Sequence, residues 1–256
     1  MITITSLQPQ LDQSSKSKRI QSALSQLDQL PKSDLILLPE IWATGFFCFD
    51  QYEAESETTS GELVKAFQKK ARERDCHIHM GSFVERDGNQ YYNTSLLINP
   101  RGEIIARYRK IHLFGYQSME QQILTPGDRV TTIKTDLGHV GLATCYDLRF
   151  PELFREMSSR GVDIILVTSA WPLARLSAWE LFNRARAHEN LAFLVSCNCA
   201  GADGGTPYAG NSMVVSPMGE ILIRADQGPG HISTRISIEE ATQLRREFPA
   251  LADRVL

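Results

Sequence analysis

The sequence predicts an α/β fold from two observations. Short, continuously apolar runs bounded by turn residues alternate with longer amphipathic runs of helical spacing. Their order along the chain is largely strand, helix, strand, helix, the pattern of sheets covered by helices. ITITSL at the start has strand character, and from Ser14 to Leu30 the apolar positions Ile20, Ala23, Leu24 and Leu27 recur with helical periodicity. DLILLP is a buried strand, four apolar residues in succession closed by Asp34 and Pro39. Leu63 to Arg74 is a helix with Leu63, Phe67 and Ala71 on one face. Strands follow at His77–Val84, Thr94–Ile98, Ile104–Tyr108 and Val140–Thr144. A helix begins after Pro151, then the strand DIILVTS, a helix from Leu176 to Asn190, and the strand AFLVSCN.

Two hairpins interrupt this alternation and resemble each other. NTSLLINPRGEII and NSMVVSPMGEIL both read strand, Pro-x-Gly-Glu turn, strand. Proline presets such a turn and glycine supplies positive φ at little cost. The likeness marks either two related halves or convergent turn chemistry, and the sequence does not decide between them. No linker or low-complexity segment divides the chain, so residues 1–256 are expected to form one domain.

The composition excludes several function classes. With 27 Lys and Arg against 30 Asp and Glu, the formal net charge is −3, and the basic residues are scattered. No basic stripe offers a nucleic-acid footprint. No apolar run approaches the roughly 20 residues of a membrane span. The opening MITITSLQPQLDQ lacks a basic leader and a long apolar run. Five cysteines, at 48, 76, 145, 197 and 199, have no disulfide-scaffold spacing. They are expected to be free thiols in a reducing cytoplasm.

Three reactive residues fall just past buried strands, where α/β folds bind ligands. Glu40 follows DLILLP, Lys110 closes IIARYRK, and Cys145 closes VGLAT. Cys145 also opens a helix-like segment, YDLRFPELFREM. A thiol at a helix N-terminus sits in positive potential, which favours thiolate. Singly, each has a plainer reading, as a solvated cap, a surface charge and a small buried hydrophobe. Together they are a base, a cation and a nucleophile, the set that acyl transfer needs.

LLPEIWATGF, YRKIHLF and GLATCYDLRFPEL, in this order, resemble the motifs of the nitrilase superfamily of carbon–nitrogen hydrolases. The resemblance runs over nearly the whole chain, from the opening strand to the NSMVVSPMGEIL hairpin. It implies a four-layer α-β-β-α sandwich, Glu40 as general base, Lys110 as electrostatic partner and Cys145 as nucleophile. In MEQQILTPGD it implies that Glu120 orients the lysine and the substrate amide, against the plainer reading of a surface glutamate. It also implies a homodimer joined through helices near the cysteine motif. No metal or organic cofactor is expected. The implied chemistry is thiol attack on an amide, with Glu40 taking the Cys145 proton. Lys110 and the backbone N–H of Tyr146 hold the oxyanion, and ammonia leaves behind a thioester for water to cleave.

TSAWPLARLSAWELFNRARAHEN looks like the omega-amidase branch, whose members cleave 2-oxoglutaramate and related dicarboxylate monoamides. Trp171 and Arg175 are then substrate-binding candidates, since an arginine fork binds both oxygens of a carboxylate. Arg175 as a solvated helix cap is the plainer alternative, and Phe46 is a candidate apolar wall. Other carbon–nitrogen substrates are an N-carbamoyl amine, a deaminated peptide amide or a nitrile. A non-catalytic binding subunit of the same fold is the reading from another class, against which the intact triad argues. Cys197 and Cys199, two apart on a strand, are expected to face one side and pack in the core, and His77 and His79, with the same spacing, to be edge or core histidines. Asp147 and Arg149 are expected to brace the cysteine loop as an ion pair. His112 suggests a Cys-His mechanism, which the glutamate pattern fits less well than a Glu base.

Overall fold

The computed structural model describes residues 1–255. Among them, two six-stranded sheets pack face to face. The first has the order β15 (Gly230–Ile236), β1 (Ile2–Gln8), β3 (Leu35–Leu37), β4 (His77–Asp87), β5 (Gln90–Ile98), β6 (Ile104–Arg109). The second runs β14 (Ile221–Arg224), β13 (Met213–Val215), β10 (Phe193–Asn198), β9 (Ile164–Ser169), β8 (Gly138–Thr144), β7 (Thr132–Thr135). A small third sheet joins β2 (Gln10–Leu11), β11 (Ala200–Asp203) and β12 (Thr206–Pro207). Helices α1 (Lys16–Gln29) and α2 (Glu62–Arg74) cover the first sheet, and α4 (Pro151–Ser159) and α5 (Leu176–Asn190) the second. A short α3 (Glu120–Ile123) and a C-terminal α6 (Ile238–Glu247) complete the helices. The result is the α-β-β-α sandwich.

The apolar runs explain the layers. Strands β3 and β9 lie between parallel neighbours and are buried on both faces, so their apolar residues run on rather than alternate. Along β3, Leu35 and Leu37 point into the core between the sheets. Ile36, and Leu38 just beyond, point to the core beneath α1 and α2, with Ala23, Leu27, Val64 and Phe67. Ser15 starts α1 by accepting a hydrogen bond from Lys18 N at its side chain. Each fully buried Leu, Val or Phe contributes about 1.5–3 kcal/mol. No helix among the described residues is long and apolar enough to cross a membrane.

The two hairpins occupy matching places. In the first sheet β1, β3 and β4 are parallel and β5–β6 is appended; in the second β8, β9 and β10 are parallel and β13–β14 is appended. The crossovers match as well, α1 and α2 in one half and α4 and α5 in the other. The turns share their hydrogen bonds: Gly102 N donates to Asn99 O and Asn99 N to Glu103 O, as Gly219 N does to Ser216 O and Ser216 N to Glu220 O. Gly102 and Gly219 have φ of 76° and 79°. The likeness seen in sequence thus extends beyond turn chemistry to a shared half-fold.

Candidate active site

Glu40 lies three residues past β3, where the chain swings out of the sheet. Leu38 N donates to His79 O at 2.9 Å and Glu40 N to Ser169 O at 3.3 Å, which ties this turn to both sheets. Lys110 directly follows β6, its N–H donating to Asn93 O at 2.8 Å across the hairpin. Cys145 directly follows β8. Two non-glycine residues here are left-handed, Ile41 at φ 40° and Cys145 at φ 48°. Such residues store about 1–3 kcal/mol each and persist where surrounding structure fixes them.

The charged groups converge in one fully buried cluster. Lys110 Nζ donates to Glu40 Oε1 at 2.8 Å and to Glu120 Oε1 and Oε2 at 3.0 and 2.9 Å. Ala170 N donates to Glu40 Oε2 at 2.9 Å, and Phe114 N to Glu120 Oε2 at 2.6 Å. Asn93, which sequence reasoning passed over, donates through Nδ2 to Glu40 Oε1 at 2.8 Å and to Glu120 Oε1 at 2.9 Å. Its only sequence signal was its place opposite Lys110 in the first hairpin. Glu120 is not a surface residue; its side chain has no solvent exposure.

Burial pushes the Cys145 thiol well above its usual range, and the Glu40 carboxylate beside it pushes the same way, only partly offset by Lys110. Burial pulls Lys110 down, but Glu120 and Glu40 outweigh it, and the amine stays charged. Burial raises Glu120 as well, against the pull of Lys110. The thiolate-favouring potential expected of a helix N-terminus is therefore outweighed: desolvation and Glu40 both favour the thiol form from which Glu40 was expected to take the proton. The physical reason is local. Cys145 opens a short 3₁₀ turn, Cys145–Arg149, and the α-helix starts only at Pro151. No long helix dipole reaches the sulfur to offset its desolvation.

Asp147 anchors this turn, though not with Arg149 as its sequence neighbour suggested. It accepts from Tyr108 Oη at 2.6 Å, Thr144 N at 2.8 Å, His112 N at 3.1 Å, and sits 2.7 Å from His112 Nδ1. His112 also stacks on Phe150 with centroids 3.8 Å apart. Arg149 points the other way, its guanidinium 5.5 Å from the Trp171 ring and 5.1 Å from Phe182. Cys197 and Cys199 do not share a face, because β10 ends at Asn198. Cys197 belongs to the core between the sheets and Cys199 to the core under α1 and α2.

Above the cluster opens a narrow cavity, with Cys145, Phe46, Phe114, Trp171, Arg149 and Arg175 in its walls. Phe46 also faces the Lys110 ammonium at 5.3 Å. Arg175 occupies the N-cap position of α5, while its half-buried guanidinium lies 5.3 Å from the Phe114 ring. Trp171 Nε1 donates to Arg175 O at 2.8 Å. Among the described residues neither guanidinium is paired with a carboxylate; both lie over aromatic rings of the cavity wall. Tyr146, at the second position of the 3₁₀ turn, lines the same cavity. The first N–H groups of such a turn have no partner within it.

The carbon–nitrogen hydrolase family model matches residues 2–246. The chain is 36% identical over 231 residues to the 2-oxoglutaramate amidase of Paenarthrobacter nicotinovorans, covering 87% of this chain and 79% of that protein. It is 32% identical over 254 residues to the 2-oxoglutaramate amidase of Bacillus subtilis, covering 98% of this chain and 96% of that protein. The crystal structure of XC1258 from Xanthomonas campestris, a CN-hydrolase superfamily protein with an arsenic adduct in its active site, superposes with a TM-score of 0.92. It shares 28% identity, over 100% of this chain and 97% of that one. The chain belongs to the carbon–nitrogen hydrolase family, in the omega-amidase branch of the nitrilase superfamily.

Proposed function

We propose that this enzyme hydrolyses a small carboxylate-bearing primary amide, 2-oxoglutaramate or a similar dicarboxylate monoamide such as 2-oxosuccinamate, to acid and ammonia. The observation that carries this reading is a thiol, a carboxylate and an ammonium converging beneath a cavity that two unpaired arginines line. Glu40 takes the Cys145 proton as sulfur bonds to the amide carbon. A general base is needed because the resting thiol is protonated. The oxyanion is held by Lys110 and the Tyr146 N–H, donors worth about 3–4 kcal/mol each when preorganised. One Lys110 N–H shared between the two Glu120 oxygens leaves another for that oxyanion. The C–N bond then breaks, Glu40 returns the proton to the departing ammonia, and a thioester remains. Water, losing a proton to Glu40, cleaves the thioester, and the proton passes back to the thiol. Glu120 orients Lys110, Phe46 and Trp171 wall the substrate, and Arg175 pairs with its carboxylate.

The same reading takes residues 1–256 as one cytoplasmic domain that forms a homodimer and needs no cofactor. A panel of amides, with ammonia measured for each, tests the substrate. Best turnover of 2-oxoglutaramate, with discrimination against neutral analogues lost in Arg175→Met, is the expected result. Preference for a neutral or cationic amide, such as an N-carbamoyl amine, refutes the carboxylate assignment and returns Arg175 to a helix-capping role. Sedimentation near 28.7 kDa at micromolar concentration refutes the dimer, and activity lost to chelators and restored by zinc refutes cofactor independence.

A further inference from the structure

We infer that Asn93 is a positioning residue that fixes which glutamate, and which of its oxygens, receives the thiol proton; this rests on the reading of Glu40 as base. An ionised carboxylate offers about four acceptor sites, two per oxygen. Glu120 meets four donor contacts, Asn93 and Lys110 at Oε1 and Lys110 and Phe114 N at Oε2. It has no site left for a substrate or thiol proton. Glu40 meets three, Asn93 and Lys110 at Oε1 and Ala170 N at Oε2. One site remains, on Oε2. Asn93 thus fills the last places on both Oε1 atoms.

The flanking carboxylates fix the orientation of the amide. Only the NH₂ group donates, so it faces the two glutamates. Asn93 Oδ1 is turned away, without a partner among the described residues. The cluster holds two carboxylates and one ammonium in a site with no solvent exposure, so its formal charge is −1. Buried like charges drive one of the pair to take up a proton. The two Asn93 N–H groups oppose that uptake by stabilising both anions without adding charge. Without them, a proton settles on the pair at higher pH, and the base is lost there.

Asn93→Leu removes the donors at nearly constant volume, and Asn93→Ser is a smaller variant that carries the test if the leucine variant does not fold. For each, kcat and KM are measured across pH, together with the rate at which iodoacetamide alkylates Cys145, identified by peptide mass spectrometry. The expected loss in kcat is about 10- to 100-fold, the scale of a hydrogen bond to a charged group, with KM changed by less than about threefold. The acid limbs of both pH profiles move together to higher pH. Asn93→Asp, which adds a third carboxylate, moves them further still. A merely structural role lowers activity equally at all pH values and leaves both limbs in place, which would overturn the inference. Glu40→Gln serves as the control. Turnover retained there refutes the base assignment itself, whereas a dead Glu40→Gln beside unshifted Asn93 variants refutes only the role of Asn93.

Discussion

The two halves of this molecule share one design and diverge at the strand ends. Each has three parallel strands, two crossover helices and an appended hairpin with the same turn. In the first half the hairpin leads into Lys110, which has no solvent exposure and bonds two carboxylates. In the second it ends at Arg224, half exposed and paired with Glu180 at 3.0 Å on the surface. Past the middle parallel strand, the first half places Glu40. The second places Ala170 and Trp171, whose contributions are a backbone N–H to that glutamate and an aromatic wall. The Cys145 thiol comes from the second half, past its first parallel strand. Repeating a half-fold supplies strand ends in both sheets, and the facing of the two sheets lets one half bring the charged groups and the other the thiol.

The largest test of this division is Cys145→Ala. Turnover should fall by about 10⁴-fold or more, as when a nucleophile is removed from a catalytic unit, while thermal unfolding changes little. Retained ammonia release in that variant refutes the mechanism. The matched pair Lys110→Met and Arg224→Ala compares the two hairpin ends. The first strands two buried carboxylates and should cost about 3–5 kcal/mol in urea unfolding. The second breaks an exposed pair and should cost less than about 1 kcal/mol. Similar values for the two would mean that the buried cluster is more hydrated than its geometry implies.

Acid stability separates the halves as well. His79, on β4 of the first half, is fully buried, and both ring nitrogens lack partners among the described residues. Burial pushes its pKa down from 6.5 to about 3. The unfolded chain therefore binds the extra proton between these values. Stability from this residue is full above about pH 6.5 and falls by about 1.4 kcal/mol per pH unit below it, until about pH 3. His79→Leu should flatten that slope in urea melts taken from pH 7 to 4. An unchanged slope places the acid sensitivity elsewhere. The smallest contrast is between the turn glycines. Alanine at Gly219 comes no nearer than 3.1 Å to the His188 side chain and 3.6 Å to the Arg184 carbonyl oxygen, and should cost about 1–2 kcal/mol for its left-handed φ. At Gly102 the added carbon falls 2.7 Å from the Gln68 carbonyl oxygen, so the loss in thermal stability should be larger.

Sequence alone determined most of the elements. Continuous apolar runs such as DLILLP and DIILVTS, and helical spacing from Leu176 to Asn190, record burial within one segment, which local periodicity expresses directly. The triad candidates were legible for the same reason, since each directly follows or lies just past such a run. Other features depend on what meets a residue from distant segments. Glu120 and a surface glutamate look alike in sequence; Lys110, Asn93 and Phe114 N make the buried site that distinguishes them. Asp147 looked to its neighbour Arg149, but the fold brings Tyr108 and His112 to it instead and turns Arg149 toward Trp171. The protonation of Cys145 likewise followed from desolvation and from Glu40, residues apart in the chain and adjacent in space. Periodicity reports which face of a segment is buried. Which charges share that burial, and hence which of them can move a proton, is set by long-range packing that no local pattern encodes.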